Sequence, residues 1–261
     1  MSMLQVHDLR AGYGKLPILE HVSFEIGAGE LVGVLGANGC GKTTLLKAIC
    51  GILSHEGECL LDNARLEGLP PRRIAALCSY IPQRSGLEID TSVLDVVLMG
   101  FNPRLGLLEY PNVQMKEEAR AALVTVGLGG REEENYLSLS EGQKQLCILA
   151  RTLVSQGRLL LLDEPESALD FRYRDRMLSL LRTWVAEGER AALVTLHDPG
   201  LALRYCDRLL LLDGGGVRSM ISPATDDLAK METALSVIYG EVNLQRCRDR
   251  GGRERLVMLK E

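Results

Sequence analysis

Aromatic residues are scarce in this sequence, 4% of its 261 positions, which argues against a surface built to stack nucleic-acid bases. Excess positive charge is missing too. Thirty Lys and Arg against 35 Asp and Glu leave a formal net charge of −5, so nothing points to nucleic acid as the main partner. The seven cysteines (Cys40, Cys50, Cys59, Cys78, Cys147, Cys206 and Cys247) contain no C-x-x-C pair. An odd, scattered set fits reduced thiols in a cytoplasm better than a disulfide framework or a zinc site. No apolar run approaches the ~18–20 residues that span a bilayer. The longest leucine runs, at 159–162 and 209–212, are only strand-length. The opening stretch "MSMLQVHDLR" lacks the basic-then-apolar pattern of a signal peptide. Internal repeats and low-complexity tracts are also lacking. What these absences leave is an ordinary globular composition, 46% hydrophobic and 25% charged, in a chain expected not to cross a membrane by itself.

What the sequence does contain is a rhythm of short apolar strands and helical patterns, which predicts an α/β fold with a mainly parallel sheet. "ELVGVLG" (30–36), "CSYIPQ" (78–83), "RLLLLDEP" (158–165), "RAALVTLHD" (190–198) and "CDRLLLLDGGG" (206–216) read as buried strands ending in polar, Gly or Pro punctuation. The 214–216 glycines read as a turn. "LQVHDL", "ILEHVSFEI" and "GECLLDN", within the first 63 residues, alternate as antiparallel strands do. "SVLDVVLMG", "VQMKEEARAALVTVG" and "EGQKQLCILARTLV" are helical. The expected organisation is one domain over 1–261. Its core, 1–84 and 156–261, carries the antiparallel β part, and a helical subdomain of 85–155 is inserted into it. A helix near 227–239 and two strands should close the chain.

"GANGCGKTT" (36–44) fits G-x-x-x-x-G-K-[ST] in full, after a strand and at the start of a helix. Gly36, Gly39 and Gly41 let backbone N–H groups face phosphates, with Asn38, Cys40 and Thr44 in the same wrap. Lys42 reaches the β- and γ-phosphates, and the Thr43 hydroxyl suits Mg²⁺. The strand "RLLLLDEP" then presents Asp163 and Glu164 at its carboxyl end, where ligands gather in such sheets. Asp163 suits the Mg²⁺ shell, and Glu164 could polarise a water for in-line attack.

A second phosphate-type element, "LSEGQ" (139–143), precedes another helix. Read alone, Ser140 is a helix N-cap. Taken in order, Tyr13 in "AGYG", the 36–44 loop, Gln83 in "YIPQ", "LSEGQ", "LLLLDEP" followed by "SALD" (167–170), and His197 in "VTLHD" resemble the nucleotide-binding subunits of ABC transporters over nearly the whole chain. The resemblance implies a P-loop NTPase with a RecA-like core, hydrolysing ATP with Mg²⁺. It implies that Tyr13 stacks on adenine, that Gln83 touches Mg²⁺ and the attacking water, that Glu164 is the base and that His197 holds the γ-phosphate. It further implies a head-to-tail pair of copies, with Ser140, Gly142, Gln143 and Asp170 serving the site of the opposite chain. The implied partners are that second copy, a polytopic membrane permease and, indirectly, a substrate-binding protein, with no nucleic acid. The implied location is peripheral, at the cytoplasmic face of the cell membrane.

"TSVLDVVLMGFNPRLGL" (91–107) and the C-terminal "ALSVIYGEVNL" are similar to the branch that imports iron–siderophore complexes, haem and cobalamin. Zinc, manganese or oxyanion importers, and a non-transport member such as an iron–sulfur assembly ATPase, remain as alternatives. Three residues depart from the family pattern: Glu141 in place of glycine, Glu166 in place of threonine, and Cys40 within the loop. Lys42, the loop N–H groups and the helix N-terminus predict a reactive thiolate at Cys40, the first thiol an alkylating reagent would find. A small, shielded side chain tolerated by the loop is the other reading.

Overall fold

The computed structural model describes residues 2–83, 87–106, 108–167 and 169–260. The expected boundary at 84/85, and Leu107 and Ala168 of the family segments, lie outside the described residues. The organising element is a six-stranded sheet. It contains β3 (Leu31–Leu35), β6 (Cys78–Ile81), β7 (Leu159–Asp163), β8 (Ala191–Thr195), β9 (Arg208–Asp213) and β10 (Gly216–Ile221), in the order β10-β9-β3-β8-β7-β6. Every pairing is parallel except β9 with β10, which turns back through Gly214 and Gly215.

The leucine runs follow from burial on both faces. Leu160 and Leu162 join one core cluster, and Leu159 and Leu161 the other. Leu209 and Leu211 alternate in the same way with Leu210 and Leu212. Fully burying each leucine is worth about 1.5–3 kcal/mol. One face is covered by α1 (Lys42–Ile49) and by a four-stranded antiparallel sheet of order β2-β1-β4-β5. The strands of that sheet are β1 (Ser2–Tyr13), β2 (Leu16–Gly27), β4 (His55–Leu61) and β5 (Ala64–Arg65). The short α2 (Pro71–Leu77) leads back into β6.

Helices cover the other face. Between β6 and β7 lie α3 (Val93–Leu98), α4 (Val113–Val126) and α5 (Glu141–Val154), and α6 (Phe171–Ala186) and α7 (Pro199–Tyr205) follow. The chain ends in α8 (Leu228–Tyr239) and the hairpin of β11 (Val242–Arg248) and β12 (Glu254–Lys260), the helix-plus-two-strands expected. No helix among the described residues is long and apolar enough to cross a membrane.

Strand order decides where the chemistry can sit. β3, β8, β7 and β6 are neighbours and parallel, so their carboxyl ends open on one edge, with adjacent strands about 4.8 Å apart. The phosphate loop follows β3, His197 follows β8, Glu164 follows β7 and Gln83 follows β6. Residues more than a hundred positions apart in the chain are thereby brought side by side.

Candidate active site

The loop from 36 to 41 runs directly into α1, whose N-cap Gly41 takes a left-handed φ of 106° and offers no side-chain cap. A Cβ at Gly41 would stand 2.5 Å from Leu19 Cδ2, so the position needs glycine for space as well as for conformation. The first N–H groups of α1 are thus left to a ligand, with the positive end of the helix dipole behind them. They border a cavity of 260 Å³, reached by Asn38, Gly39, Lys42, Thr43 and Glu164. A larger depression of 460 Å³ lies on the antiparallel sheet. Size does not choose between them: the smaller one is bordered by the glycine-rich loop and the first turn of α1, with Lys42 and Glu164 facing it, and the larger one lies away from any helix N-terminus.

Two buried charges show what the cavity would accept. Lys42 is 5% exposed and donates to the carbonyls of Gly36 (2.8 Å) and Ala37 (3.3 Å). Among the described residues no carboxylate pairs with it. Asp163 is 3% exposed. Among the described residues it accepts from two hydroxyls, Thr195 Oγ1 at 3.0 Å and Tyr80 Oη at 3.3 Å, and no cation neutralises it. A buried ion without a counter-ion is costly. An anion at Lys42 and a cation at Asp163 would relieve both, so the donor set fits a nucleoside triphosphate with a divalent metal.

Glu164 occupies the point between the strand ends. It has a strained left-handed φ of 46°, unusual for a residue with a side chain, and its N–H is tied to Thr195 Oγ1 at 2.7 Å. Its carboxylate is bracketed: Gln83 Nε2 donates to one oxygen at 2.6 Å, and His197 Nε2 lies 2.7 Å from the other. Glu164 and Gln83, the groups expected at the attacking water, and His197, expected at the γ-phosphate, are thereby brought together.

The remaining expected residues fall elsewhere. Tyr13 ends β1 and is half exposed, as a stacking platform requires. Ser140 caps α5 in a complete capping box with Gln143: its Oγ accepts from the Gln143 N–H at 3.3 Å, and its own N–H donates to Gln143 Oε1 at 3.0 Å. Among the described residues, none from 137 to 146 lines the 260 Å³ cavity. Asp170 caps α6 by accepting from the Tyr173 N–H at 3.1 Å.

The departures from the family pattern have local explanations. Glu141 stands in the first turn of α5, where negative charge is favoured, and pairs with Lys144 at 2.8 Å. Glu166 is buried and accepts the His197 backbone N–H at 3.2 Å, while burial pushes its carboxyl above the usual range. Three groups were not foreseen: Thr195 and Tyr80, which hold Asp163, and Gln145, which donates to the Gln83 carbonyl at 2.7 Å and joins α5 to the Gln83 segment. The lone threonine of the apolar β8 was the available signal for the first.

The reactive thiolate expected at Cys40 is corrected. Cys40 is 8% exposed, and its Sγ lies 2.5 Å from where a Cβ on Gly36 would be. Burial raises its pKa, and the nearby Lys42 only partly opposes that. Cys247, on the terminal hairpin, is the exposed thiol. Brief maleimide labelling followed by peptide mapping should therefore find Cys247 modified first and Cys40 spared. Faster modification of Cys40 would show that the loop opens more than its packing implies.

The strand–loop–helix phosphate site, with a carboxylate on the neighbouring strand end, defines a P-loop nucleoside triphosphatase. The ABC transporter family profile matches residues 19–167, and the chain belongs to that family, as an ATP-binding and ATP-hydrolysing subunit. It is 40% identical over 255 residues to the hemin import ATP-binding protein HmuV of Pseudomonas aeruginosa, covering 95% of this chain and 97% of that protein. It is 34% identical over 239 residues to the probable iron chelatin transport ATP-binding protein of Helicobacter pylori, covering 91% and 92%. Among solved structures, a chain of a metal-chelate type ABC transporter in an inward-facing conformation superposes with a TM-score of 0.83 at 26% identity, covering 100% and 99%.

Proposed function

We propose that this protein is the ATPase of an importer for a metal chelate of the hemin or iron-chelate kind. It acts as a head-to-tail pair at the cytoplasmic face of a membrane permease that receives its cargo from a substrate-binding protein. The observation that carries the substrate class is the near full-length similarity to hemin import and iron chelatin transport ATP-binding proteins. The core, 1–84 and 156–261, binds nucleotide, and the helical part, 85–155, presents the Ser140 segment to the partner copy. The Gln145–Gln83 hydrogen bond gives that segment a direct link to the site.

In this reading Tyr13 stacks on adenine, and the 36–44 loop holds the phosphates with its N–H groups and Lys42. Mg²⁺, when bound, would supply charge stabilisation at the phosphate oxygens, and Thr43, Asp163 and Gln83 would hold it. Thr195 and Tyr80 fix Asp163. Glu164 takes the proton of the attacking water, Gln83 orients that water, and His197 steadies the γ-phosphate oxygens.

The test is uptake by cells lacking this gene. Accumulation of labelled hemin or iron chelate should fall at least tenfold and return with the wild-type gene, but not with one carrying Glu164→Gln. Unchanged chelate uptake with lost zinc or manganese uptake would move the protein to another importer branch. If uptake of all of these is unchanged, the importer reading fails.

A further inference from the structure

Away from the phosphate loop, three side chains with metal-ligating atoms meet on the antiparallel sheet. His55 and Cys59 come from β4, and Glu67 from the segment after β5. In a regular strand, residues four apart stand roughly 13 Å from each other. Here His55 Nε2 lies 3.7 Å from Cys59 Sγ. The strand is distorted between them: Gly57 has a φ of 94°, and a Cβ there would lie 2.5 Å from the Asp8 carbonyl oxygen. Opposite it, β1 has one residue more than β4 between the His7–Glu58 and Arg10–Glu56 pairs, a bulge. Glu67 completes the group, its Oε1 2.9 Å from His55 Nε2 and accepting the Cys59 N–H at 2.6 Å.

We propose that His55, Cys59 and Glu67 form a binding site for a single divalent cation of the zinc class, separate from the ATP site. The three donor atoms all lie within 4.8 Å of one another. Bond lengths of about 2.0–2.3 Å in a tetrahedron place nitrogen and sulfur about 3.6 Å apart, and nitrogen and oxygen about 3.4 Å apart. The first separation is already met, and the second requires the His55–Glu67 hydrogen bond to open by about 0.5 Å. An imidazole, a thiolate and a carboxylate together favour a borderline-soft ion over Mg²⁺ or Ca²⁺.

The second carboxylate oxygen, Glu67 Oε2, is buried with no hydrogen-bond partner, and its nearest cation, Arg65 Nε, stands 3.8 Å away. That is an unused ligand atom on the cluster's own carboxylate. His55 also lines the 460 Å³ depression bounded by Arg10, Gly12 and Glu56, so the cluster is open to solvent on its imidazole side. The Cys59 thiol is pushed up to about 12, mainly by burial and then by Glu67. A metal–sulfur bond forms here as the thiol proton leaves for solvent. Counting cysteine spacings could not find this site, because its ligands are of three residue types drawn together by a bulge.

The test uses the full chain with Cys247→Ser, which removes the exposed thiol. Titration with zinc against a chromophoric chelator should give one ion per chain. Cobalt in its place should show a thiolate-to-cobalt charge-transfer band, and saturating zinc should raise the melting temperature by several degrees. Cys59→Ser and Glu67→Gln should each weaken zinc binding at least about tenfold, the smallest loss usual when metal-site partners are removed. Glu164→Gln should leave zinc binding unchanged, which excludes the ATP site as its source. ATPase activity measured with Mg²⁺ alone reports that the Cys59 and Glu67 variants fold, and ATP binding reports the same for Glu164→Gln. If Cys59→Ser does not fold, the near-isosteric Glu67→Gln decides. Failure of the folded chain to take up zinc, undiminished binding by Glu67→Gln, or a cobalt complex without the thiolate band would each overturn the proposal.

Discussion

Replacing Glu164 by glutamine is expected to slow ATP hydrolysis about 10²–10⁴-fold, the usual scale for loss of a general base, while ATP still binds. The substitution suits the question because it keeps the shape of the side chain. The amide oxygen can accept from Gln83 Nε2, as Oε2 does now at 2.6 Å, and the amide nitrogen can donate to a neutral His197 across the present 2.7 Å contact. The left-handed backbone at Glu164 and its tie to Thr195 involve main-chain atoms, which the change leaves alone. Only the capacity to take a proton is removed. With binding intact and turnover blocked, the protein should accumulate as an ATP-bound pair that elutes early in gel filtration. Hydrolysis within a few-fold of wild type would mean that the carboxylate only positions the water, and the base would have to be sought elsewhere.

How far this site was legible in the sequence depended on how local each signal is. The phosphate loop is contiguous, and its glycine requirement is a backbone fact, so 36–44 could be read directly. The strands were equally plain, because two-faced burial leaves unbroken apolar runs such as 159–162 and 209–212. Thr195, Tyr80 and Gln145 were not read. Their roles depend on which strand lies beside which, and a lone polar residue in an apolar strand does not announce its partner. Cys40 failed for a different reason. Its charged neighbours were visible in the sequence, but its packing against Gly36 was not, and burial outweighed the charge. Glu166 shows the same limit: in the sequence it was only a departure from the family pattern, and its burial against the backbone N–H of His197 could not be read there.

The second large effect is expected at Ser140. Ser140→Arg should abolish ATP hydrolysis while the chain continues to bind ATP, because its own nucleotide contacts lie elsewhere. Ser140 is exposed at the start of α5, and among the described residues none of its segment lines the 260 Å³ cavity of the same chain. Its capping box uses the Gln143 and Ser140 N–H groups internally, which leaves the N–H groups of Glu141 and Gly142 and the positive end of the helix dipole to whatever docks there. An arginine would remove the cap, at a cost of about 1 kcal/mol, and place a long side chain where a phosphate of the opposite chain should sit. Loss of stability alone does not account for the predicted result, since a cost of that size leaves a folded chain. Ser140→Ala separates the two effects: it loses the same cap but adds no bulk, so its hydrolysis should fall less than that of the arginine variant. Mixing tests the geometry further. In a head-to-tail pair of Ser140→Arg with Lys42→Ala, one composite site carries both defects and the other carries neither. Measurable hydrolysis should therefore reappear when two individually inactive proteins are combined. If Ser140→Arg hydrolyses ATP at the wild-type rate, α5 serves no second site. If the mixture stays inactive although both chains bind each other, the two sites fire only together.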